Sequence, residues 1–334
     1  MSNTPKLRDV ANLANVSDMT ASRALRRVGE VSAATRKKVE AAASAIGYVP
    51  NKLAGNLASR TSNLVGVIVP SLSSFVFPEV LNGISVKLEG SGLQPVTGVT
   101  DYDLEKEEAV IRQMLSWRPR GLIIAGLEHT EGARKILRAS NVPIVEIMDV
   151  DGEPIQYCVG ISHIQAGRDM ARKLVESGYR KIAFIGTKMP KDFRAQKRLD
   201  GFMAGLSEAG LSLCAQQLYT AGSSIETGRV LTTRLLREHP EVDCIYYSSD
   251  VMSVGGLMHC LAEGISVPDD LALAGFNNLE ILSGLPRKLA TTDAHRYAIG
   301  EQAAGLILAH PKGKSDTVER TITLSPDIET GDTV

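Results

Sequence analysis

The sequence holds few of the residue patterns that mark metal, redox or membrane function. Its four cysteines lie far apart without a Cys-x-x-Cys pair, so we expect free buried thiols in a reducing cytoplasm. The longest apolar runs, 64–70 and 121–127, have the length of a strand and are too short to span a membrane. The first twenty residues carry four charged side chains and no unbroken apolar core, which argues against a secretory signal.

Catalytic and nucleotide-binding motifs are also missing. The sequence contains no G-x-G-x-x-G, no Walker loop, no G-x-S-x-G and no H-E-x-x-H. The six histidines are scattered, and neither His129 nor His295 has a neighbour in sequence that would form a triad or a metal site. We therefore expect no enzymatic activity, no catalytic residues, no metal and no cofactor.

The charge of the chain is unevenly distributed. Residues 1–60 contain ten Lys/Arg and four Asp/Glu, a net charge of +6, whereas the whole chain of 334 residues carries −1 and the remainder therefore −7. A hydrophobic fraction of 43% is ordinary for a globular protein with a large core, and the length exceeds one typical domain. A basic segment joined to a mildly acidic body predicts a polyanion partner for the segment alone.

Residues 6–47 are predicted to form three short helices. The first has an apolar stripe at Leu7, Val10, Ala11 and Ala14, and Ser17 and Ser32 are suitable N-caps for the other two. The third has an inner face at Val39, Ala42, Ala43 and Ile46, and Gly47 is a natural stop.

From Leu64 onward, short apolar strands alternate with amphipathic helices. This alternation predicts parallel, doubly wound sheets, and the number of strands favours two lobes of similar build. Ligands are then expected beyond the carboxyl ends of the strands. The predicted strands are 64–70, 93–99, 121–126, 143–148, 181–186, 243–248 and 271–276, and the predicted helices include 79–89, 104–117, 165–177, 194–209, 225–238 and 251–263.

The second helix, within VSDMTASRALRR (16–27), has two different faces. At 100° per residue, Ala21, Ala24, Leu25 and Val28 fall on one arc that would pack on the first helix. The opposite arc carries small and polar side chains, an arginine and one apolar side chain, Met19. An N-terminal tip with small residues and one guanidinium suits entry into the DNA major groove, although a solvated basic face is the alternative.

The series LRDVANLANVSDMTASRAL…VSAATRKKVEAAASAIGYVPNKLAGNLA resembles the DNA-binding head and hinge of LacI/GalR-type transcriptional repressors, without a gap from about residue 7 to residue 62. The resemblance implies a helix-turn-helix domain at 1–50, a hinge at 51–62 and an effector-binding, dimerising domain at 63–334. In that last domain, lobe 1 would comprise about 63–161 and 293–325, and lobe 2 about 162–292. The implied fold class is an α-helical head plus an α/β, two-lobed domain like the periplasmic binding proteins.

The same resemblance implies the DNA contacts of the head. Asp18, Met19 and Arg23 would face the bases, and Met19 suits a thymine methyl. Leu57, one turn after Ala54, would insert into the minor groove, although Gly55 weakens a hinge helix by roughly 1 kcal/mol. Phosphate or positioning contacts would come from Asn15, Ser17, Thr20, Ser22 and Asn51.

The effector domain is most similar to repressors of gluconate and idonate catabolism, through PSLSSFVFPEVLNGI (70–84), MLSWRPRGLI (114–123), residues 128–130 and VPIVEIMD (142–149). Two arginines facing one cleft suit a carboxylate, and the phenylalanines could stack on a polyol chain. Asn277 and Ser223 replace the Asp and the aromatic residue of many members, which favours a sugar acid. The implied effector-binding residues are Phe75, Phe77, Val80, His129, Asp149, Arg194, Arg198, Ser249, Asp250 and Asn277.

Structural roles remain open for these residues, since Arg198 could pair with Asp200 and the phenylalanines could be core. For the whole chain, a transport-type sugar-binding protein is the alternative, but it would need export and has no use for a basic head. We expect a cytoplasmic homodimer that binds double-stranded operator DNA and a small sugar-acid or sugar effector, with no membrane partner.

Overall fold

The structure, a computed structural model, describes residues 4–50, 62–73, 75–187, 189, 191–310 and 319–334. The chain divides into two compact units, one ending at Ser62 and the other running from Asn63 to Val334. In the described ranges, no helix is long and apolar enough to cross a membrane.

The N-terminal unit contains three helices, α1 (Leu7–Ala14), α2 (Asp18–Arg26) and α3 (Ala33–Ala45). The two predicted N-caps are confirmed, because Ser17 Oγ accepts from the Thr20 amide and Ser32 Oγ from the Thr35 amide, both at 3.2 Å. Gly47 follows α3 with a φ of +67°, as expected for a helix stop.

The core of this unit consists of small and β-branched side chains from all three helices. The predicted inner face of α2 is confirmed at Ala21 and Ala24, which are fully buried, and at Leu25, which packs on the same cluster. Val28 was expected on that face but is 45% exposed. The helix ends before it, with Arg27 in the left-handed conformation, so Val28 leaves the helical arc.

Lobe 1 of the second unit is built on a six-stranded parallel sheet of order β11-β5-β4-β3-β1-β2. Helices α4 (Val76–Leu88) and α11 (Arg296–Ala309) cover one face, and α5 (Leu104–Ser116) and α6 (Glu131–Ala139) cover the other. The strands are β1 (Leu64–Val69), β2 (Gln94–Val99), β3 (Gly121–Ala125), β4 (Ile144–Ile147), β5 (Tyr157–Gly160) and β11 (Thr321–Thr323).

Lobe 2 repeats the architecture on a four-stranded parallel sheet of order β7-β6-β8-β9. Helices α7 (His163–Glu176) and α8 (Phe193–Glu208) cover one face, and α9 (Ile225–Glu238) and α10 (Asp250–Glu263) cover the other. The strands are β6 (Ile182–Thr187), β7 (Ala215–Tyr219), β8 (Cys244–Tyr247) and β9 (Ala272–Ala274). A short 3-10 helix, Glu280–Gly284, follows β9, and an antiparallel pair joins β10 (Thr291–Asp293) to β12 (Asp327–Glu329).

All seven predicted strands and all six predicted helices are present, with ends shifted by a few residues. Two helices and five strands were not predicted. Helix α11 packs on two sides, because Ile299 and Ile307 pack on the sheet while Gly300 packs against α4. Its apolar and small residues are therefore not confined to one face, and its sequence lacks a clear helical period of hydrophobicity. Strand β7 lies at a sheet edge and is mostly exposed, so its sequence lacks the apolar run by which the predicted strands were identified.

Two glycines allow α7 and α8 to cross in backbone contact. A Cβ atom added at Gly167 would lie 2.0 Å from the Arg198 carbonyl oxygen, and one at Gly201 would lie 2.0 Å from the Ile164 carbonyl oxygen. No larger residue fits either position without moving a helix. This crossing fixes the backbone of α8 that carries Arg198.

Candidate functional site

The exposed face of α2 carries the side chains predicted to contact bases. Asp18 and Arg23 are exposed, Ser22 is partly exposed and Met19 is 62% exposed. An unburied methionine at the centre of a polar face contributes nothing to the core of this unit. The three predicted base-contacting residues therefore share one accessible face of α2, with Asp18 and Met19 in its first turn and Arg23 in its last.

Several predicted positioning residues cluster around the same helix end. Asn15 has a left-handed φ of 52° in the turn between α1 and α2, and the hydroxyls of Ser17 and Thr20 are 2.9 Å apart. The first turn of a helix presents free amides that suit a phosphate. Asn51, Ala54 and Leu57, the other predicted DNA contacts, lie outside the described residues.

A cleft between the two lobes contains a cavity with about 900 Å³ of empty space, its open mouth included. It lies at the carboxyl ends of strands of both sheets, as expected for this class of fold. Its wall includes Ser73, Phe75, Val76, Phe77, Tyr102, Met148, His163, Thr187, Asp192, Arg194, Ala195, Arg198, Gly222, Ser223, Ser248, Ser249, Val251, Phe276, Asn277 and Leu279.

Arg198 is the buried cation of this cavity. Its Nη2 donates to the Ser248 carbonyl oxygen at 3.0 Å, and its Nη1 is 3.0 Å from Nδ1 of His163. The guanidinium lies 3.9 Å from the centroid of the Phe276 ring, a cation–π contact. Asp200, the alternative partner considered from the sequence, instead accepts from Gln196. Arg198 therefore has neutral partners.

The tautomer of His163 follows from its two contacts. Its Nε2 is 2.7 Å from the Met148 carbonyl oxygen and must carry the proton, so Nδ1 is the acceptor for Arg198. Burial and the adjacent charges of Arg198 and Arg194 hold the pKa of His163 well below its usual range. A neutral imidazole thus orients the guanidinium without neutralising its charge.

Arg194 is the second guanidinium of the cavity wall. It lies one turn before Arg198 on α8, 5.7 Å from the centroid of Phe77, and 3.9 Å from the carboxylate of Asp192. Tyr102, which follows β2 in lobe 1, also interacts with it. The cavity wall therefore contains two guanidiniums and one carboxylate.

Hydroxyl and amide groups line the lobe 2 side of the cavity. The hydroxyls of Thr187 and Ser223 are 2.6 Å apart, and Ser249 Oγ is buried with no hydrogen-bond partner among the described residues. Asn277 is nearly buried, with a φ of 114° that is unusual for a side-chain-bearing residue. These groups can bind the hydroxyls of a polyol.

Four predicted effector residues are not in the cavity wall. Val80 is fully buried in the core of lobe 1. Asp149 contacts Lys197 at 2.5 Å. Asp250 accepts from the Thr291 hydroxyl and the Leu279 amide, and burial outweighs these bonds to raise its pKa to about 6. The fourth is His129.

His129 belongs to the loop that follows β3, and its side chain lies between two carboxylates. Its Nδ1 is 2.6 Å from Glu107 and its Nε2 is 3.0 Å from Glu146, and the imidazole is completely buried. Burial alone would lower the pKa of His129, but the bonds to the two glutamates outweigh it and raise the pKa to about 9. His129 therefore links two glutamates inside lobe 1 and is not part of the cavity wall.

Sequence reasoning missed several residues of the cavity wall. Tyr102 lies three residues after the end of β2, and the rule that ligands bind beyond strand ends could have included it, as it included Asp192 after β6. His163 and Phe276 gave no sequence signal, because their roles depend on contact with Arg198. Among the described residues, no group of His, Cys, Asp and Glu is arranged to hold a metal ion.

Comparisons with known proteins agree with both units. Residues 6–51 match the bacterial regulatory proteins of the lacI family, and residues 62–325 match the family of periplasmic binding proteins and sugar binding domains of the LacI family. The transcriptional regulator GntR of Pseudomonas aeruginosa is 39% identical over 311 residues, which cover 93% of this chain and 90% of the relative.

Two solved structures are similar over almost the full length. A LacI-family regulator from Silicibacter pomeroyi has 53% sequence identity and a TM-score of 0.95, with 98% of this chain and 99% of that chain covered. The lac repressor dimer, solved with operator and the anti-inducer ONPF, has 26% identity, a TM-score of 0.84 and 99% coverage of both chains. The regulatory head distinguishes this chain from a transport-type binding protein and from an enzyme. The chain belongs to the LacI family of DNA-binding transcriptional regulators.

Proposed function

We propose that this protein is a repressor of a sugar-acid catabolic operon, and that an aldonate such as gluconate is its effector. The relatives support the direction of this proposal, since the transcriptional regulators named GntR and IdnR are 31–39% identical over nearly the full length. The argument for the ligand itself rests on the chemistry of the interlobe cavity.

The observation that carries the proposal is the environment of Arg198. The residue is 6% exposed, and its hydrogen bonds go to a carbonyl oxygen and a neutral imidazole. No carboxylate of the described residues lies within ion-pair distance of it. Asp192 acts on Arg198 only from beyond ion-pair distance. A buried cation without a directly paired carboxylate is costly, and an anionic ligand would lower that cost. A carboxylate can also bind a guanidinium bidentately.

The rest of the cavity suits the carbon chain of an aldonate. Phe75, which is 58% exposed, provides apolar surface from lobe 1, whereas Phe77 is 1% exposed and belongs mainly to the lobe 1 core. Ser223, Ser249 and Asn277 provide polar groups from lobe 2. A neutral sugar would use the same polar groups but would leave Arg198 without a directly paired carboxylate. The proposed ligand is therefore an open-chain, anionic polyol.

The DNA-binding part of the proposal follows from the accessible face of α2. Asp18, Met19 and Arg23 would contact base edges, and a homodimer would present two such helices to a pseudo-palindromic operator. Because its proposed target is chromosomal DNA, the protein would act in the bacterial cytoplasm. Closure of the lobes on the effector would change the affinity for operator DNA, with a coupling free energy between the two ligands on the order of 1–3 kcal/mol per site.

Isothermal titration calorimetry with gluconate, related aldonates and neutral sugars tests the ligand. Gluconate should bind the wild type, and Arg198→Met should weaken it by roughly ten- to a hundredfold, the loss expected for charge-assisted hydrogen bonds. Arg138→Met, which removes an exposed guanidinium from α6, should leave the affinity unchanged. Tight binding of a neutral sugar without any aldonate response would refute the proposal.

A further inference from the structure

Lys197 forms an ionic bridge between the two lobes beside the cavity. Its Nζ, on α8 of lobe 2, lies 2.5 Å from Asp149 Oδ2 and 2.7 Å from Glu128 Oε1, both in lobe 1. It also donates to the Asp151 carbonyl oxygen at 3.0 Å. Three acceptors at these distances satisfy all three hydrogens of the ammonium group.

The partners of Lys197 are held in place independently. The Asp149 carboxylate is completely buried and also accepts from the Asp151 amide at 2.9 Å. Glu128 precedes His129, whose imidazole is bound between two glutamates. Asp149 and Glu128 are therefore an acidic pair of lobe 1 that binds a single cation from lobe 2.

The bridge changes the charge that surrounds the cavity. Lys197 lies between Arg194 and Arg198 on the same helix, and Asp149 and Glu128 both act electrostatically on Arg194. Without the ammonium group, the two carboxylates that act on Arg194 would have no cation of their own. An anionic ligand would then experience one further unit of negative charge.

We infer that Lys197 determines the charge class of the effector. By binding Asp149 and Glu128, it keeps both carboxylates away from the ligand and leaves the guanidiniums of Arg194 and Arg198 available for an anion. This inference rests on the proposed function and adds a specificity-determining residue that does not touch the ligand.

The test compares gluconate with sorbitol, a neutral polyol of the same chain length, by titration calorimetry on the full chain. Lys197→Met removes the charge and retains an unbranched stem. We expect gluconate affinity to fall by roughly tenfold relative to sorbitol, the size expected for one unit charge at short range in a partly screened cleft. Lys135→Met, which removes an exposed lysine on α6, is the matched control and should change neither affinity.

A double variant separates charge from structural damage. Lys197→Met combined with Glu128→Gln has the same net charge at the bridge as the wild type, so it should recover much of the gluconate affinity. An unchanged gluconate-to-sorbitol ratio in Lys197→Met would overturn the inference while the proposed function stands. So would a loss of gluconate binding that the double variant does not recover.

A second measurement requires no effector. Thermal unfolding of the wild type, the two single variants and the double variant forms a double-mutant cycle for Lys197 and Glu128. A measurable coupling supports the bridge, and its absence overturns the inference. If the wild type binds neither probe, the proposed function fails, and the cycle still decides whether the bridge forms.

Discussion

Replacement of His129 by glutamine tests the buried Glu107–His129–Glu146 arrangement. The two glutamates raise the pKa of His129 from 6.5 to about 9, despite the opposing effect of burial. Glutamine can keep a hydrogen bond to one glutamate but cannot carry the positive charge. We therefore expect His129→Gln to lower the free energy of unfolding and to alter its dependence on pH.

The magnitude follows from proton linkage. A folded-state pKa above the unfolded value means that the folded protein binds the proton more tightly, so the contribution is complete below about pH 6.5. It is lost as the pH rises through about 9. Each pKa unit corresponds to about 1.36 kcal/mol, which gives a full contribution of about 3 kcal/mol. Between pH 7 and pH 9 the wild type should lose about 2 kcal/mol of this contribution.

The assay is urea unfolding at a series of pH values, followed by tryptophan fluorescence. Trp117, the sole tryptophan of the sequence, directly follows α5, which carries Glu107, and so reports on lobe 1. His129→Gln should show a much smaller change between pH 7 and pH 9 than the wild type. His239→Gln, which removes a more exposed histidine paired with Glu241, should retain the wild-type dependence. Equal pH dependence in the wild type and His129→Gln would refute the argument.

Three further predictions concern the head and the helix crossing. Arg23→Ala should reduce operator affinity by roughly 1–3 kcal/mol in a gel-shift titration and relax the preference at one base pair, whereas uniform weakening on all sequences would mean a phosphate contact. Met19→Ala should weaken binding to the operator more than to an operator in which the facing thymine is replaced by uracil, and equal losses would contradict a methyl contact. Gly201→Ala should lower stability by about 1–3 kcal/mol in thermal unfolding, because its Cβ would meet the Ile164 carbonyl oxygen. Ser207→Ala, at an exposed position of the same helix, should be nearly neutral, and equal effects of the two would contradict a tight crossing.

The local sequence predicted the elements well wherever one face of an element is buried. The strand Leu64–Val69 carries an apolar run, and the helix Ile225–Glu238 carries apolar residues at a helical period. In both, apolar residues of the run or period pack against neighbouring elements. Prediction failed for Arg296–Ala309, which packs on two sides, and for Ala215–Tyr219, an exposed edge strand. Burial set by distant parts of the chain decided both cases.

The candidate site divides in the same way. Arg194 and Arg198 follow β6, Ser249 follows β8 and Asn277 follows β9, so the position of each strand end was enough to direct them to the cavity. Asp149 also follows a strand, but Lys197, 48 residues away in sequence, takes its carboxylate. Strand order identifies the edge of a sheet, and it does not reveal which side chains there already have a partner.

By itself, the sequence determined the three-helix head, the two α/β lobes and the cluster of guanidiniums after β6. These features depend on spacing within a short segment, where side-chain period and chain direction are set locally. Tertiary structure alone decided that His129 and Asp149 have internal partners and that Arg198 has no carboxylate of the described residues within ion-pair distance. Pairing of buried charges depends on which groups meet across 17 to 48 residues of sequence, and the local sequence carries no record of that distance.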